Sequence, residues 1–95
     1  MRIEFHNERE IEKWFRAIGR REGGRVAGKL ALVADLGGAA AGMPLVRLLG
    51  SRLYEIRVSK FRVYFVETDE ILTVLAAGEK DTQQRDIARA RGRMS

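Results

Sequence analysis

Arg2-Ile3-Glu4-Phe5 alternates polar and apolar side chains, the period of a short strand with one buried face. The period then changes. Ile11, Trp14, Phe15 and Ile18 fall at i, i+3, i+4 and i+7, the apolar stripe of an amphipathic helix with Trp14 and Phe15 in the core. Asn7 stands where the N-cap belongs, Glu10 is in capping-box position, and Gly19 is the stop. Glu22 to Leu36 reads as a second helix with Val26, Leu30, Val33 and Leu36 inward, weakened by its glycines and ended by Gly37-Gly38. So short a turn between two helices predicts an antiparallel hairpin. Gly37 to Pro44 lacks the Gly-Lys-Ser/Thr ending of a phosphate cradle and reads as a connection.

Dense β segments follow at Leu53–Val58, Phe61–Val66 and Ile71–Ala77, with Val46–Leu48 a strand stub before them. Ser59-Lys60 and Glu67 to Glu70 separate them at hairpin length. Asp81 and Gln84 form a capping-box pair for a last helix that runs to Gly92. Its apolar face, Ile87, Ala90 and Met94, is thin, which predicts packing at an edge and easy displacement. The order β-α-α-β-β-β-α predicts an α+β fold. Its core would be an antiparallel sheet, with the N-terminal helical hairpin on one face and a short C-terminal helix at an edge.

Taking Ser59-Lys60 as a two-residue turn sets a register. Val58 opposes Phe61, Arg57 opposes Arg62, Ile56 opposes Val63, Glu55 opposes Tyr64 and Tyr54 opposes Phe65. Strand alternation then puts Tyr54, Ile56, Val58, Phe61, Val63 and Phe65 on a core face, and Glu55, Arg57, Arg62 and Tyr64 on a face predicted to be wet. The next hairpin is predicted to pair Phe65 with Leu72, Val63 with Val74 and Phe61 with Ala76. Directly opposed arginines repel by a few tenths of a kcal/mol, and an anion between them would relieve this, because guanidinium forks match phosphate oxygens. Lys80, just past the last strand, can reach the same rim, and Tyr64 offers a ring for base stacking or a phenol for proton transfer.

Composition narrows the chemistry. The 95 residues suit one domain. No cysteine means no disulfide scaffold, thiolate zinc site or cysteine nucleophile, and a lone histidine, His6, argues against a Ser-His-Asp triad and reads as a strand-end surface residue. No apolar run approaches the roughly 18–20 residues of a membrane span, and no signal-peptide pattern opens the chain, so a soluble cytoplasmic protein without a membrane partner is expected. The net charge of +5 points to a polyanion or an acidic protein. The basic residues cluster: Arg47, Arg52, Arg57, Lys60 and Arg62 surround Glu55, and Lys80, Arg85, Arg89, Arg91 and Arg93 outweigh Asp81 and Asp86. Arg85, Arg89 and Arg93 share a helix stripe predicted to face solvent.

Two segments carry a resemblance. Leu53-Tyr54-Glu55-Ile56-Arg57-Val58 with Phe61-Arg62-Val63-Tyr64-Phe65 resembles the paired strands of the RelE/ParE toxin superfamily. Gly78-Glu79-Lys80-Asp81-Thr82-Gln83 and the following Asp86-Ile87 are similar to the ending of its HigB-like, addiction-module killer branch. The resemblance implies one toxin domain over residues 1–95, belonging to a type II toxin–antitoxin system. Three activities go with it: a metal-free, ribosome-dependent mRNA endonuclease (an mRNA interferase), a ParE-type toxin acting on DNA gyrase, or a degenerate member that binds only its antitoxin.

Under the nuclease reading the catalytic candidates are Arg57, Arg62, Lys80 and Tyr64. Arg57 and Arg62 would clamp the phosphate while the 2′-hydroxyl attacks the adjacent phosphorus. Arg62 and Lys80 would stabilise the phosphorane, Lys80 would be the base with Tyr64 a second participant, and the acid is unassigned. Arg47, Arg52, Lys60, Gln83 and Arg85 would contact RNA or phosphate. Some members of the family that the chain resembles carry a catalytic histidine or a C-terminal tyrosine. Here no histidine or aromatic residue follows Phe65, Phe61 stands where tyrosine is common, and the Gly-rich loop between the paired strands is missing. The implied partners are a cognate antitoxin, a helix-turn-helix protein from an adjacent gene, together with the ribosome and mRNA. A homodimer and a toxin–antitoxin hetero-oligomer both stay open. No cofactor and no metal are implied.

Overall fold

The computed structural model describes residues 1–94. β1 (Arg2–Phe5) leads into α1 (Glu8–Ile18) and α2 (Arg20–Asp35), and a 3₁₀ turn at Gly38–Ala41 follows. Then come β2 (Val46–Gly50), β3 (Leu53–Val58), β4 (Phe61–Thr68) and β5 (Ile71–Glu79), a second 3₁₀ turn over Lys80–Thr82, and α3 (Gln83–Gly92). The strands form one sheet in the order β1-β5-β4-β3-β2. This is the α+β architecture predicted by the pattern, with the expected stub at Val46–Leu48 grown into a full edge strand.

The Asn7 side chain caps α1 by accepting the Glu10 N–H at 3.0 Å, as expected. The reciprocal half of the box goes elsewhere, because Arg93 grips the Glu10 carboxylate. Gly19, at φ 92°, breaks the chain between α1 and α2. Ile11, Val26, Leu30 and Val33 pack on Ile56, Val58, Phe61, Val63, Phe65, Leu72 and Val74, so the helical hairpin covers one sheet face. Trp14 and Phe15 are half-buried at its margin, and Trp14 meets Phe61 edge-to-face at 5.8 Å. Leu36, expected inward, is the exposed C-cap of α2.

Three expectations are corrected. The sheet is mixed, because β1 runs parallel to β5 from Arg2–Ile71 to Phe5–Val74. The two strands are far apart in sequence, so no tight turn forces them antiparallel. Next, α3 does not sit at an edge: it lies on the sheet face opposite α1 and α2, where Ala90, Ile87 and Met94 cover Leu53, Tyr64, Leu75 and Ala76. The face predicted to be wet is therefore roofed in its centre.

The third correction concerns register. The β3–β4 pairing is the predicted one throughout, from Tyr54–Phe65 to Val58–Phe61 and including Arg57–Arg62. The β4–β5 pairing is not. β4 extends to Thr68, the turn shrinks to Asp69-Glu70, and Phe65 pairs with Val74 rather than Leu72. A shift of two preserves the faces. A bulge at Leu75 then breaks the alternation, so Val63 meets Ala77 and Phe61 meets Glu79, and Ala76 turns with Leu75 toward α3.

Candidate functional site

The basic runs converge where the β3–β4 turn meets the start of α3. β4–β5 pairing continues to Phe61–Glu79, and the Lys80 N–H then donates to the Lys60 carbonyl at 2.8 Å. Both lysines are exposed. The Lys60 ammonium lies 3.5 Å from a Glu79 oxygen and 5.5 Å from the centre of the Phe61 ring. Asp81, expected to cap α3, is bypassed by the 3₁₀ turn, and Thr82 takes the N-cap position. The Thr82 hydroxyl donates to Asp86 at 2.6 Å. Asp86, only 1% exposed, fits because residue 78 is glycine; a Cβ there would overlap its carboxylate.

Arg57 and Arg62 are opposed as predicted, but their head groups part. Arg57 Nε donates to Glu55 Oε1 at 2.8 Å, and its side chain is 47% exposed. Arg62 is 8% exposed, and its Nη1 donates to the carbonyls of Ser59 and Phe61 at 2.8 and 2.9 Å. The expected pair of guanidiniums facing water together is thus replaced by one outward and one folded onto the turn. The physical reason is local: a two-residue turn leaves carbonyls within reach of Arg62, while Glu55 claims Arg57.

Tyr64 also departs from expectation. It is fully buried, and its hydroxyl has no hydrogen-bond partner among the described residues. Burial raises its pKa, and the nearby negative charges of Glu55 and Asp86 raise it further. A neutral, roofed phenol offers neither a stacking ring nor a base.

The remaining candidates divide by position. Gln83 Nε2 donates to Glu55 Oε2 at 2.6 Å, which brings Gln83 beside Arg57. Arg85 is exposed at the start of α3, with Nε 3.8 Å from Asp86. Arg47 pairs with Glu55 across β2–β3, so it shares the α3 face and is exposed. Arg52 does not join them: it sits in the turn at the far end of β3, about 17 Å from Arg57 at ~3.3 Å per residue. There it lines a cavity with His6, Thr68, Thr73 and Arg93.

Arg89 and Arg93, predicted to face solvent, instead close the free edge of β5. β1 pairs only with Ile71–Val74, and beyond its end Arg93 Nη1 donates to the Leu75 carbonyl at 2.8 Å and Arg89 Nη2 to the Ala77 carbonyl at 3.2 Å. Sequence reasoning missed the structural roles of Gly78, Thr82 and Asp86. The one-turn spacing of Thr82 and Asp86, next to a glycine that ends a strand, was the available signal.

The arrangement offers Arg57, Lys60, Lys80 and Arg85 as outward cationic donors to an oxyanion. Among the described residues no group of three or more His, Asp or Glu side chains could hold a metal ion, and no helix is long and apolar enough to cross a membrane. No curated protein matches the chain. The family model described as "Phage derived protein Gp49-like (DUF891)" matches residues 13–95, from within α1 through α3. That span contains every residue of the cationic end, and the chain belongs to this Gp49-like family, a RelE-like family of toxins in toxin–antitoxin systems.

Proposed function

We propose that the protein is the toxin of a type II system of the HigB-like kind, and that its cationic end cleaves mRNA on the ribosome. One observation carries the reading: the Lys80 N–H to Lys60 carbonyl bond brings lysines from two separate basic runs to the same tip as Arg57. The nucleophile in this reading is the RNA's own 2′-hydroxyl. The 2′-oxygen bonds to phosphorus and the bond from phosphorus to the 5′-oxygen breaks. The 2′-proton passes to a base and the leaving oxygen takes one up, leaving a cyclic phosphate and a 5′-hydroxyl end.

Arg57 presents its two Nη groups to the phosphate, where the charge that grows in the transition state strengthens each bond. Lys80 joins it from the α3 side as a second cationic donor to the phosphorane. Arg62 works from beneath, holding the Ser59–Phe61 turn by its two carbonyl bonds. Tyr64 takes no part. The antitoxin, an acidic segment of a helix-turn-helix protein encoded alongside, would cover the same end in a cytoplasmic hetero-oligomer.

A second reading, gyrase poisoning through a protein interface, draws support from the burial of Arg62 and Tyr64. Expression in growing bacteria separates the two. The nuclease produces mRNA cuts at the ribosomal A site and translation arrest, whereas the gyrase reading produces filamentation and a DNA-damage response. Arg57→Ala, at a partly exposed side chain, should slow cleavage by about 10²-fold, the size of a lost transition-state donor, with the fold unchanged by circular dichroism. Full toxicity of that variant would remove Arg57 from the site.

A further inference from the structure

Glu55 is a negative charge placed where a polyanion is proposed to bind. It is 0% exposed, on the α3 face of β3, beside the apolar cluster of Leu53 and Tyr64. Burying a carboxylate costs several kcal/mol unless it is well paired, and an apolar side chain would fill the same place without that cost. The pairing is specific: one oxygen accepts Arg57 Nε and the other accepts Gln83 Nε2. With Nε tied inward, the Nη1–Nη2 edge of Arg57, the fork that fits two phosphate oxygens, is left for solvent. Arg62 cannot take that place, because its Nη1 is committed to the turn.

We propose that Glu55 is a positioning residue: it locks the Arg57 fork and the Gln83 amide into one phosphate-reading geometry. This rests on the RNA reading above and adds to it a role for a residue of the wrong charge. The two roles open to Glu55 predict opposite signs. A mere counter-ion repels phosphate, so Glu55→Gln would leave ribosomal mRNA cleavage unchanged or faster. A positioning residue predicts slower cleavage.

The test uses the full chain with mRNA-programmed ribosomes in single-turnover cleavage, alongside ¹⁵N NMR of the arginine Nε–H groups. Glu55→Gln should slow cleavage about tenfold, with ribosome affinity little changed, and Glu55→Gln/Arg57→Ala should be no slower than Arg57→Ala alone. Arg57→Lys keeps the charge but has no Nε to tie, so it should lose as much as Arg57→Ala. That comparison keeps the proposal refutable even if Glu55→Gln fails to fold, because an active Arg57→Lys would show that no tied Nε is needed. The Arg57 Nε–H signal should exchange slowly in the parent and quickly in Glu55→Gln. Unchanged or faster cleavage by Glu55→Gln, a near-fully active Arg57→Lys, or an Nε–H signal indifferent to Glu55→Gln would each overturn the proposal. A parent protein that cuts no mRNA would sink the nuclease reading instead, and the NMR signal would then decide the Glu55–Arg57 coupling by itself.

Discussion

Glu10 and Arg93 share two hydrogen bonds, at 2.6 and 2.8 Å, across almost the whole chain. The Arg93 hydrogen bond holds the Glu10 carboxyl below its ordinary value of 4.5 against the opposing effect of burial. A carboxyl with a lowered folded-state pKa stabilises the protein above its unfolded value, and that contribution is lost as the pH falls through the folded value. Glu10→Gln should therefore destabilise by about 1 kcal/mol at pH 7, with the gap to the parent closing below pH 4.5, as read by urea unfolding at pH 7 and pH 3. Gly78 makes a steric claim. Gly78→Ala sets a methyl against the Asp86 carboxylate and should cost about 2 kcal/mol, with α3 amides losing protection from hydrogen exchange first. At this scale the Asn7 cap was legible in the sequence, since capping is a contact three residues long, and so was a Glu55–Arg57 pair, two positions apart on one strand face. The partners of Glu10 and Arg62, and Gln83 as the second partner of Glu55, are chosen by proximity in the folded state.

Among the elements, the turns resisted reading most. Ser51-Arg52 and Asp69-Glu70 both have φ between 51° and 66° at their two central residues, the geometry of a type I′ hairpin without its usual Asn-Gly. The strands they join impose that conformation at a local cost of about 1 kcal/mol for a side-chain-bearing residue. Hence Glu67 to Glu70 reads as a loop by composition although β4 runs on to Thr68. Glu70→Gly should relieve the strain, adding about 0.5–1 kcal/mol and raising the melting temperature by roughly 2–8 °C in a thermal scan. The last helix shows the opposite balance. Its thin apolar face was evident in the sequence, but the face it covers was not, because arginines reaching the β5 carbonyls contribute to its docking. Its amides should exchange through a local opening at lower free energy than those of β4.

Over the whole molecule, charge spread along the chain becomes position. Under the RNA reading, affinity falls with salt as counterions are released, and Arg57→Ala should lower the log–log slope by about 0.7, measured by titration at several salt concentrations. What the sequence determined by itself was the set of elements, the α+β class and the β3–β4 register, because these follow from side-chain periodicity and a two-residue turn. The faces were sorted correctly as far as the Leu75 bulge, where alternation ends. Tertiary structure alone decided the parallel docking of β1, the side of the sheet that α3 covers, and which arginine of the opposed pair reaches solvent. Each is a choice among contacts far apart in the chain, settled by which buried charges and free carbonyls find partners, and no local pattern of polar and apolar residues encodes it.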